Sequence, residues 1–324
     1  MGKEPISDNR LLNRRAMLKA GALAAGAATL THLGACGAQV KEQAPAPKEE
    51  ALKAKKPTKN MKLSLAAYSM RQALTSGEMD LFGFIDWCAE MDLPGTELTS
   101  YYFKEGFDNK YLQQLKLHAF RQGVTVSGTA IRNDFCKPPG AERNKEIEQA
   151  KKWIDYAAAL SAPHIRIFAG NVPKGVENKT AIGWVAECTG VVLAYAAQKG
   201  VVLGLENHGG ITARAADHLA ICDAVEAAAG ENKQWFGVNL DTGNYHTDCY
   251  EELAMAAPRA VNVQVKVEVV QNDGTKVLAD LARVRDILVN ANYKGWVALE
   301  YEAEADPRVE IPMYMEKLKG LFGV

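Results

Sequence analysis

The 324-residue chain lacks most of the features that settle a function class at a glance. It has no C-x-x-C pair and no cysteine–histidine cluster, so no zinc ribbon or dithiol redox centre is written into it. It has no G-x-G-x-x-G, which an open doubly wound nucleotide-binding sheet would carry after an early strand. It has no excess of charge: 38 basic against 39 acidic residues give a net −1, which is no nucleic-acid footprint. No long helical repeat is present. The apolar stretch after Arg14-Arg15 is too short and too weakly apolar to stay as a membrane span.

What is present begins with an N-terminal address. Asn13-Arg14-Arg15-Ala16-Met17-Leu18-Lys19 resembles a twin-arginine export signal, with Met17 where Phe is favoured. Leu33-Gly34-Ala35-Cys36 resembles a lipobox, which implies a lipid anchor to the membrane at Cys36; the alternative is an ordinary signal peptide with a chance cysteine. Residues 1–36 are read as the signal. Their removal takes five basic and two acidic residues and moves the net charge from −1 to −4. Residues 37–60 are rich in Ala, Pro, Lys and Glu and read as a disordered tether. The expected location is the periplasm or cell envelope. The five later cysteines, Cys88, Cys136, Cys188, Cys222 and Cys249, are odd in number and widely spaced, so buried free thiols are expected.

Residues 61–324 read as a single domain with eight short apolar runs: 62–69, 94–100, 124–131, 164–170, 201–207, 236–242, 261–267 and 296–302. Helical patterns fall between them, over 79–92, 109–122, 142–161, 181–199, 213–229 and 279–291. Gly95, Gly123, Gly200 and Gly295 are expected to close helices. This alternation predicts an α/β fold, a (β/α)8 TIM barrel. The run "VNVQVKVEV" at 261–269 alternates valine with polar residues, and Asn272-Asp273-Gly274 is a hairpin signal. Residues 261–279 are therefore a barrel strand, a surface hairpin, or a strand running on into a small ribbon.

In such a barrel, functional side chains gather at the C-terminal ends of the strands. Those ends carry Glu97; His164 and Arg166; Glu206 and His208; Asp241, Asn244 and His246; Gln264 and Lys266; and Glu300 and Glu302. Parity places Glu206, Asp241 and Glu300 on inward faces. Three converging carboxylates repel one another unless a proton or a cation intervenes, and an oxygen-rich set suits a hard divalent metal. Each one alone is more often a cap or an ion-pair partner.

"GLENHGG", "GVNLDTGN", "NVQVKV" and "WVALEYE", in this order on successive strands, resemble the xylose isomerase-like sugar isomerases and epimerases, often called sugar phosphate isomerase/epimerase. "SLAAYSMR" and "RIFAG" resemble that family's first and fourth strands, so the likeness covers 61–324. The apurinic endonucleases are distant relatives of the family. The resemblance implies one divalent metal held by Glu, Asp, His and Glu. Here Glu206, Asp241 and Glu300 match, and Gln264 stands where the family has histidine. A neutral carboxamide is a weaker ligand than imidazole, so Mn or Mg is expected before Zn. His208 or His246 are alternative imidazole ligands, with substrate contact the preferred role for both.

The chemistry the resemblance implies is proton removal next to a carbonyl, with a base, an acid and a group that stabilises the enediolate. Glu206 and Glu300 are the expected acid/base pair and Asp241 a structural ligand. Lys266 is either an oxyanion partner or a solvated ribbon lysine. Glu97, Arg166, His208, Asn244 and His246 are expected to position substrate hydroxyls, and Tyr68 and Tyr101 to stack on a sugar face. The acidic "EYEAEADP" after the eighth run disfavours a phosphate on the substrate. The expected partner is a small carbohydrate, with no nucleic acid. Three functions stay open: an isomerase or epimerase, a lyase or hydratase of a 3-keto-glycoside, and a non-catalytic sugar-binding lipoprotein.

Overall fold

Eight parallel strands close on themselves in the computed structural model, which describes residues 60–324. The signal and lipid-anchor position read at 1–36, and the tether read at 37–60 apart from Asn60, lie outside the described residues. The strands in chain order are β1 (Lys62–Ala66), β2 (Gly95–Thr99), β3 (Thr125–Ala130), β4 (His164–Ile167), β5 (Val202–Glu206), β6 (Phe236–Asp241), β7 (Ala260–Val265), β8 (Glu268–Val270), β9 (Lys276–Leu278) and β10 (Trp296–Leu299). All but β8 and β9 form the barrel, which closes where β1 pairs in register with β10, Lys62 opposite Trp296. β8 and β9 form a separate antiparallel ribbon. Each of the eight expected runs is a barrel strand. The seventh does run on into a ribbon, with the bend at Lys266 and Val267.

Among the described residues there are nine α-helices: α1 (Arg71–Ser76), α2 (Leu81–Glu90), α3 (Asn109–Arg121), α4 (Ala141–Ala159), α5 (Asn178–Lys199), α6 (Ala215–Ala229), α7 (Cys249–Ala256), α8 (Leu281–Asn290) and α9 (Pro307–Phe322). Four begin on an aspartate whose carboxylate accepts a first-turn amide: Asp80, Asp108, Asp280 and Asp306. The sequence pattern marked neither α7 nor α9. α7 spans eight residues, too short to show a clear period, and α9 carries Pro312 inside it. α5 is long and apolar enough to cross a membrane by length and composition. Here it lies beside α4 and α6 on the barrel wall.

Strand parity sorts the side chains. Leu63, Leu65, Ile165, Ile167, Leu203, Leu205, Val263, Val265, Val297 and Leu299 are all buried in one hydrophobic core with helix residues such as Ile154, Val192 and Leu318. Each such burial contributes about 1.5–3 kcal/mol. The alternate residues turn into the barrel. Asn262 and Gln264 of β7 both reach Glu97 of β2, a contact that only the barrel interior allows. The floor is filled by two rings that need glycine beside them. A Cβ on Gly95 would lie 2.5 Å from the Trp296 ring, and a Cβ on Gly204 would lie 2.3 Å from His164 Nε2. The five later cysteines are free and buried, as expected.

Two of the four expected helix-closing glycines do something else. Gly123 and Gly200 have positive φ, and Gly200 caps α5. Gly95 instead opens β2 beneath Trp296, and Gly295 packs against the Tyr293 ring. At those two corners the left-handed residues are Asp92 and Asn292. Asx side chains tolerate that conformation and free the glycines for close packing.

Candidate active site

The C-terminal ends of β4 to β7 and β10 place two buried cations against buried carboxylates. Arg166, on β4, directs its Nε to Glu206 Oε2 on β5 at 2.7 Å, and one of its guanidinium N–H groups donates to the Ile131 carbonyl at 2.7 Å. Lys266 follows β7. Its Nζ lies 2.5 Å from Glu300 Oε2, 2.9 Å from Glu302 Oε2 and 3.2 Å from Asp241 Oδ2. The ammonium donates a hydrogen bond to Glu300 Oε2, while Asp241 Oδ2, buried and without a hydrogen-bond partner, and Glu302 Oε2 pair with it by charge. Gly243 leaves room for the lysine stem, since a Cβ there would meet Lys266 Cγ at 2.6 Å. The backbone sets this placement: Lys266 N–H donates to Thr242 Oγ1, and Glu300 N–H to the Val265 carbonyl. The reading of Lys266 as a solvated ribbon lysine is overturned, because the residue is 6% exposed.

Below this layer lies a closed amide chain. Asn262 Nδ2 donates to Glu97 Oε1 at 2.7 Å and to Asn239 Oδ1 at 2.8 Å. Asn239 Nδ2 donates to Gln264 Oε1 at 2.7 Å, and Gln264 Nε2 donates to Glu97 Oε2 at 2.7 Å. With Glu97 ionised, the direction of every amide follows from its carboxylate, which then only accepts. Glu97 is fully buried with both oxygens engaged. It is therefore not a substrate-positioning residue, as the sequence suggested, but the anchor of β7 across the barrel.

Burial pushes the Glu97 carboxyl up to about 7, with Glu300 adding to the effect and the two amides opposing it. Burial likewise raises Asp241 to about 7, against Lys266. Glu206 is raised by burial; Arg166 opposes this, and Asp241 and Glu300 add to it. Glu300 goes the other way: burial would raise it, but Lys266, then Arg166 and His208, hold it below its ordinary value. Burial alone would lower Lys266, yet Asp241, Glu300 and Glu302 keep it well above the ordinary lysine range. The surrounding carboxylates thus favour the charged ammonium over the free amine that a nucleophile would need.

Around the mouth, His208 is exposed but stacks on Phe168 at 3.9 Å, with Arg166 over the same Phe168 ring at 4.0 Å. Partial desolvation, then Arg166 and Lys266, lower its protonation to about 4, so the imidazole is neutral at ordinary pH. Asn244 Nδ2 donates to Glu206 Oε1 at 3.2 Å. Asn244, His246, Lys266 and Glu302 line a cavity of about 230 Å³ walled by the ribbon. Tyr68 and Tyr101 meet edge-on at 6.4 Å, each with an arginine over its ring, Arg71 and Arg132 respectively.

Four further residues shape the site without having been assigned a role from sequence. Phe168 is the shared platform for Arg166 and His208. Asn207 brackets the β6 end, donating to the Asp241 carbonyl and accepting from the Asp241 N–H. Asn239 and Asn262 carry the amide chain. Phe168, Asn239 and Asn262 share inward parity with Arg166, Asp241 and Gln264, which was the one signal available for them; Asn207, just past the end of β5, is out of phase with Glu206 and carried none.

The four side chains matched to a metal set do not make a cation cradle as they stand. Glu206 is held by Arg166 and Asn244. Asp241 Oδ1 accepts from Gly243 N–H at 2.8 Å and its Oδ2 faces Lys266. Glu300 faces Lys266, and Gln264 turns its oxygen to Asn239 and its N–H groups toward Glu97 and Glu300. Among the described residues no three His, Cys, Asp or Glu side chains converge to hold an ion. The divalent metal expected from the sequence therefore does not fit this donor set. Neither His208, which stacks on Phe168, nor His246, out on the mouth cavity, restores the missing imidazole.

The sequence matches the family described as "Xylose isomerase-like TIM barrel" over residues 85–319. No curated protein matches it in sequence. Among solved structures, it is similar to D-psicose 3-epimerase in the presence of D-fructose (TM-score 0.65, 15% identity, 82% of this chain and 100% of that one). It is similar to the IOLI protein with a binding zinc atom (TM-score 0.64, 14% identity, 81% and 98%). It is also similar to the probable 3-DHS dehydratase AsbF of Bacillus anthracis (TM-score 0.61, 14% identity, 80% and 99%). At these identities the likeness is one of fold.

Proposed function

Because the chain belongs to the xylose isomerase-like TIM barrel family, we propose that it is an enzyme that removes the proton next to the carbonyl of a sugar or keto sugar. A proton returned to the other face or the neighbouring carbon gives an epimer or an isomer. One observation carries this reading: Glu206 and Glu300 are buried at the same mouth, each against its own cation, with their protonation pushed in opposite directions. Two carboxyls held apart in this way divide into an acid and a base.

Glu300, held ionised, takes the proton from carbon through Oε1, the oxygen that Lys266 leaves free. The bonding electrons move to the carbonyl oxygen, which becomes an enediolate oxyanion. Lys266 and Arg166 are the charges that offset it in a site shielded from water. For Lys266 to do so, Glu302 moves off the ammonium; it is the least buried of the three carboxylates paired with Lys266, with its side chain 39% exposed. Glu206 returns the proton. Arg166, Asn244, His208 and His246 contact substrate hydroxyls, and Tyr68 and Tyr101 offer the sugar an aromatic rim. The cavity sets Glu268 and Glu302 against Lys266 and Lys276, a charge-balanced lining that suits an uncharged sugar.

A second outcome of the same proton removal is elimination, in which the oxygen on the next carbon leaves with the Glu206 proton. The cavity under the ribbon favours keeping it in view, since it gives space for a group attached to the sugar. With the export signal read at 1–36, the reaction belongs to the cell envelope, and a Cys36→Ala variant released from the membrane fraction is the expected sign of the anchor.

The test is solvent exchange. Incubated with keto sugars in heavy water, the protein is expected to place deuterium on the carbon beside the carbonyl. Glu206→Gln and Glu300→Gln should each slow this by about 10²–10⁴-fold. An unsaturated product identifies the lyase. Saturable sugar binding with no exchange identifies a binding protein, and full exchange in both variants removes the acid/base assignment.

A further inference from the structure

We propose that this chain works without a divalent metal, the Lys266 ammonium serving as the fixed cation of the barrel mouth. The inference deepens the proposed function. It rests on that reading only in placing the ammonium next to a substrate oxygen; whether the site binds a cation is measured with or without turnover.

The argument starts from occupancy. A divalent ion at a site of this kind needs several oxygens turned to one point. Here the oxygens of Asp241 and Glu300 are turned to one point, and that point is Lys266 Nζ. Glu302 completes the set. A metal entering among these carboxylates would have to displace a buried ammonium, leaving two like charges a few ångströms apart. Glu206 is not free to help, since Arg166 and Asn244 hold its two oxygens.

Gln264 supplies the second, independent reason. It sits next to Asp241 in the β6–β7 register and next to Ala298 in the β10–β7 register, so its side chain has the right position to face the mouth. Yet its carboxamide is fixed with nitrogen toward Glu97 and Glu300, and its oxygen spent on Asn239. Reversing it would set a carbonyl against two carboxylates and break the chain that runs through Asn262 and Asn239. At Gln264 the site thus presents donors where an ion would need a lone pair, and the buried oxygen there that accepts no hydrogen bond, Asp241 Oδ2, faces the Lys266 ammonium at 3.2 Å. The remaining negative charge is met by protons and by the two basic side chains.

The test is a titration of the chelator-treated full chain with Mn²⁺, following free ion by paramagnetic resonance, and with Zn²⁺ by calorimetry. The wild-type chain is expected to take up no stoichiometric ion below about 1 mM. Gln264→His combined with Lys266→Met is expected to bind one equivalent at least about 100-fold more tightly, because it restores an imidazole and vacates the carboxylates. One equivalent bound by wild type in the micromolar range, and lost in Asp241→Asn, overturns the proposal. So does a folded double variant that binds no better than wild type. Should the double variant fail to fold, the wild-type titration decides alone. Any α-proton exchange found for the wild type should survive chelator, and exchange that disappears and returns with added Mn²⁺ also overturns it.

Discussion

Lys266 and Gln264, two residues apart across the end of β7, divide the barrel between them: the ammonium of one gathers Asp241, Glu300 and Glu302, and the carboxamide of the other holds Glu97 on the far wall. One fixes charge at the mouth and the other fixes the strand that carries it.

Lys266→Met leaves Asp241 and Glu300 buried without a counter-charge. Removing one partner of a buried pair costs about 3–5 kcal/mol. Glu300 is held below its ordinary value by Lys266, so its contribution is present above the unfolded pKa and lost as pH falls through the folded one. The deficit of the variant is therefore expected to be largest near neutral pH and to shrink toward about pH 4–5 as the carboxyls protonate. Urea unfolding at several pH values measures it.

Glu97→Gln tests the opposite sign. The Glu97 carboxyl is raised to about 7, so the folded chain binds its proton more tightly than the unfolded chain does. Its stabilising share is complete below an unfolded value of about 4.3 and is lost as pH rises through about 7. In the variant the fall in stability across this window should flatten relative to wild type. A constant loss of about 1–2 kcal/mol should accompany it, because the new amide cannot accept both Asn262 and Gln264. Matching slopes in the two proteins would remove the titration of Glu97 from the account.

Glu302→Ala takes one carboxylate off the Lys266 ammonium without touching the buried pair. The substrate no longer displaces a carboxylate, so KM is expected to fall several-fold with kcat within about 3-fold. A KM that rises instead would make Glu302 a substrate contact. Steady-state kinetics on the substrate found by the exchange screen separates the two.

Gly204→Ala drives a methyl group into the His164 ring, 2.3 Å from Nε2, and the ring lies so near Gly128 on its other side that a Cβ added there would be 2.9 Å from Nδ1. The ring has no room to retreat. A loss of about 2–3 kcal/mol is expected, read as a drop in Tm of roughly 2–4 °C for each kcal/mol. An unchanged Tm would mean that the barrel floor is loosely packed.

The barrel, all eight of its strands and the inward parity of Glu206, Asp241, Gln264 and Glu300 were legible in the amino-acid order, because period-two alternation and strand-end position are local properties of the chain. The same order puts Gln264 where the family resemblance implies a histidine. It left Gly95 and Gly295 misread, since a glycine that closes a helix and one that makes room for Trp296 or Tyr293 look alike until the neighbour is in place. Who neutralises whom is legible in the folded barrel alone. That Lys266 from β7 would meet carboxylates from β6 and β10, that Arg166 from β4 would take Glu206, and that Glu97 would be spent on two amides 165 and 167 residues away are facts of barrel closure. Charge pairing depends on distances of a few ångströms between segments far apart in the chain, and no local pattern carries that information.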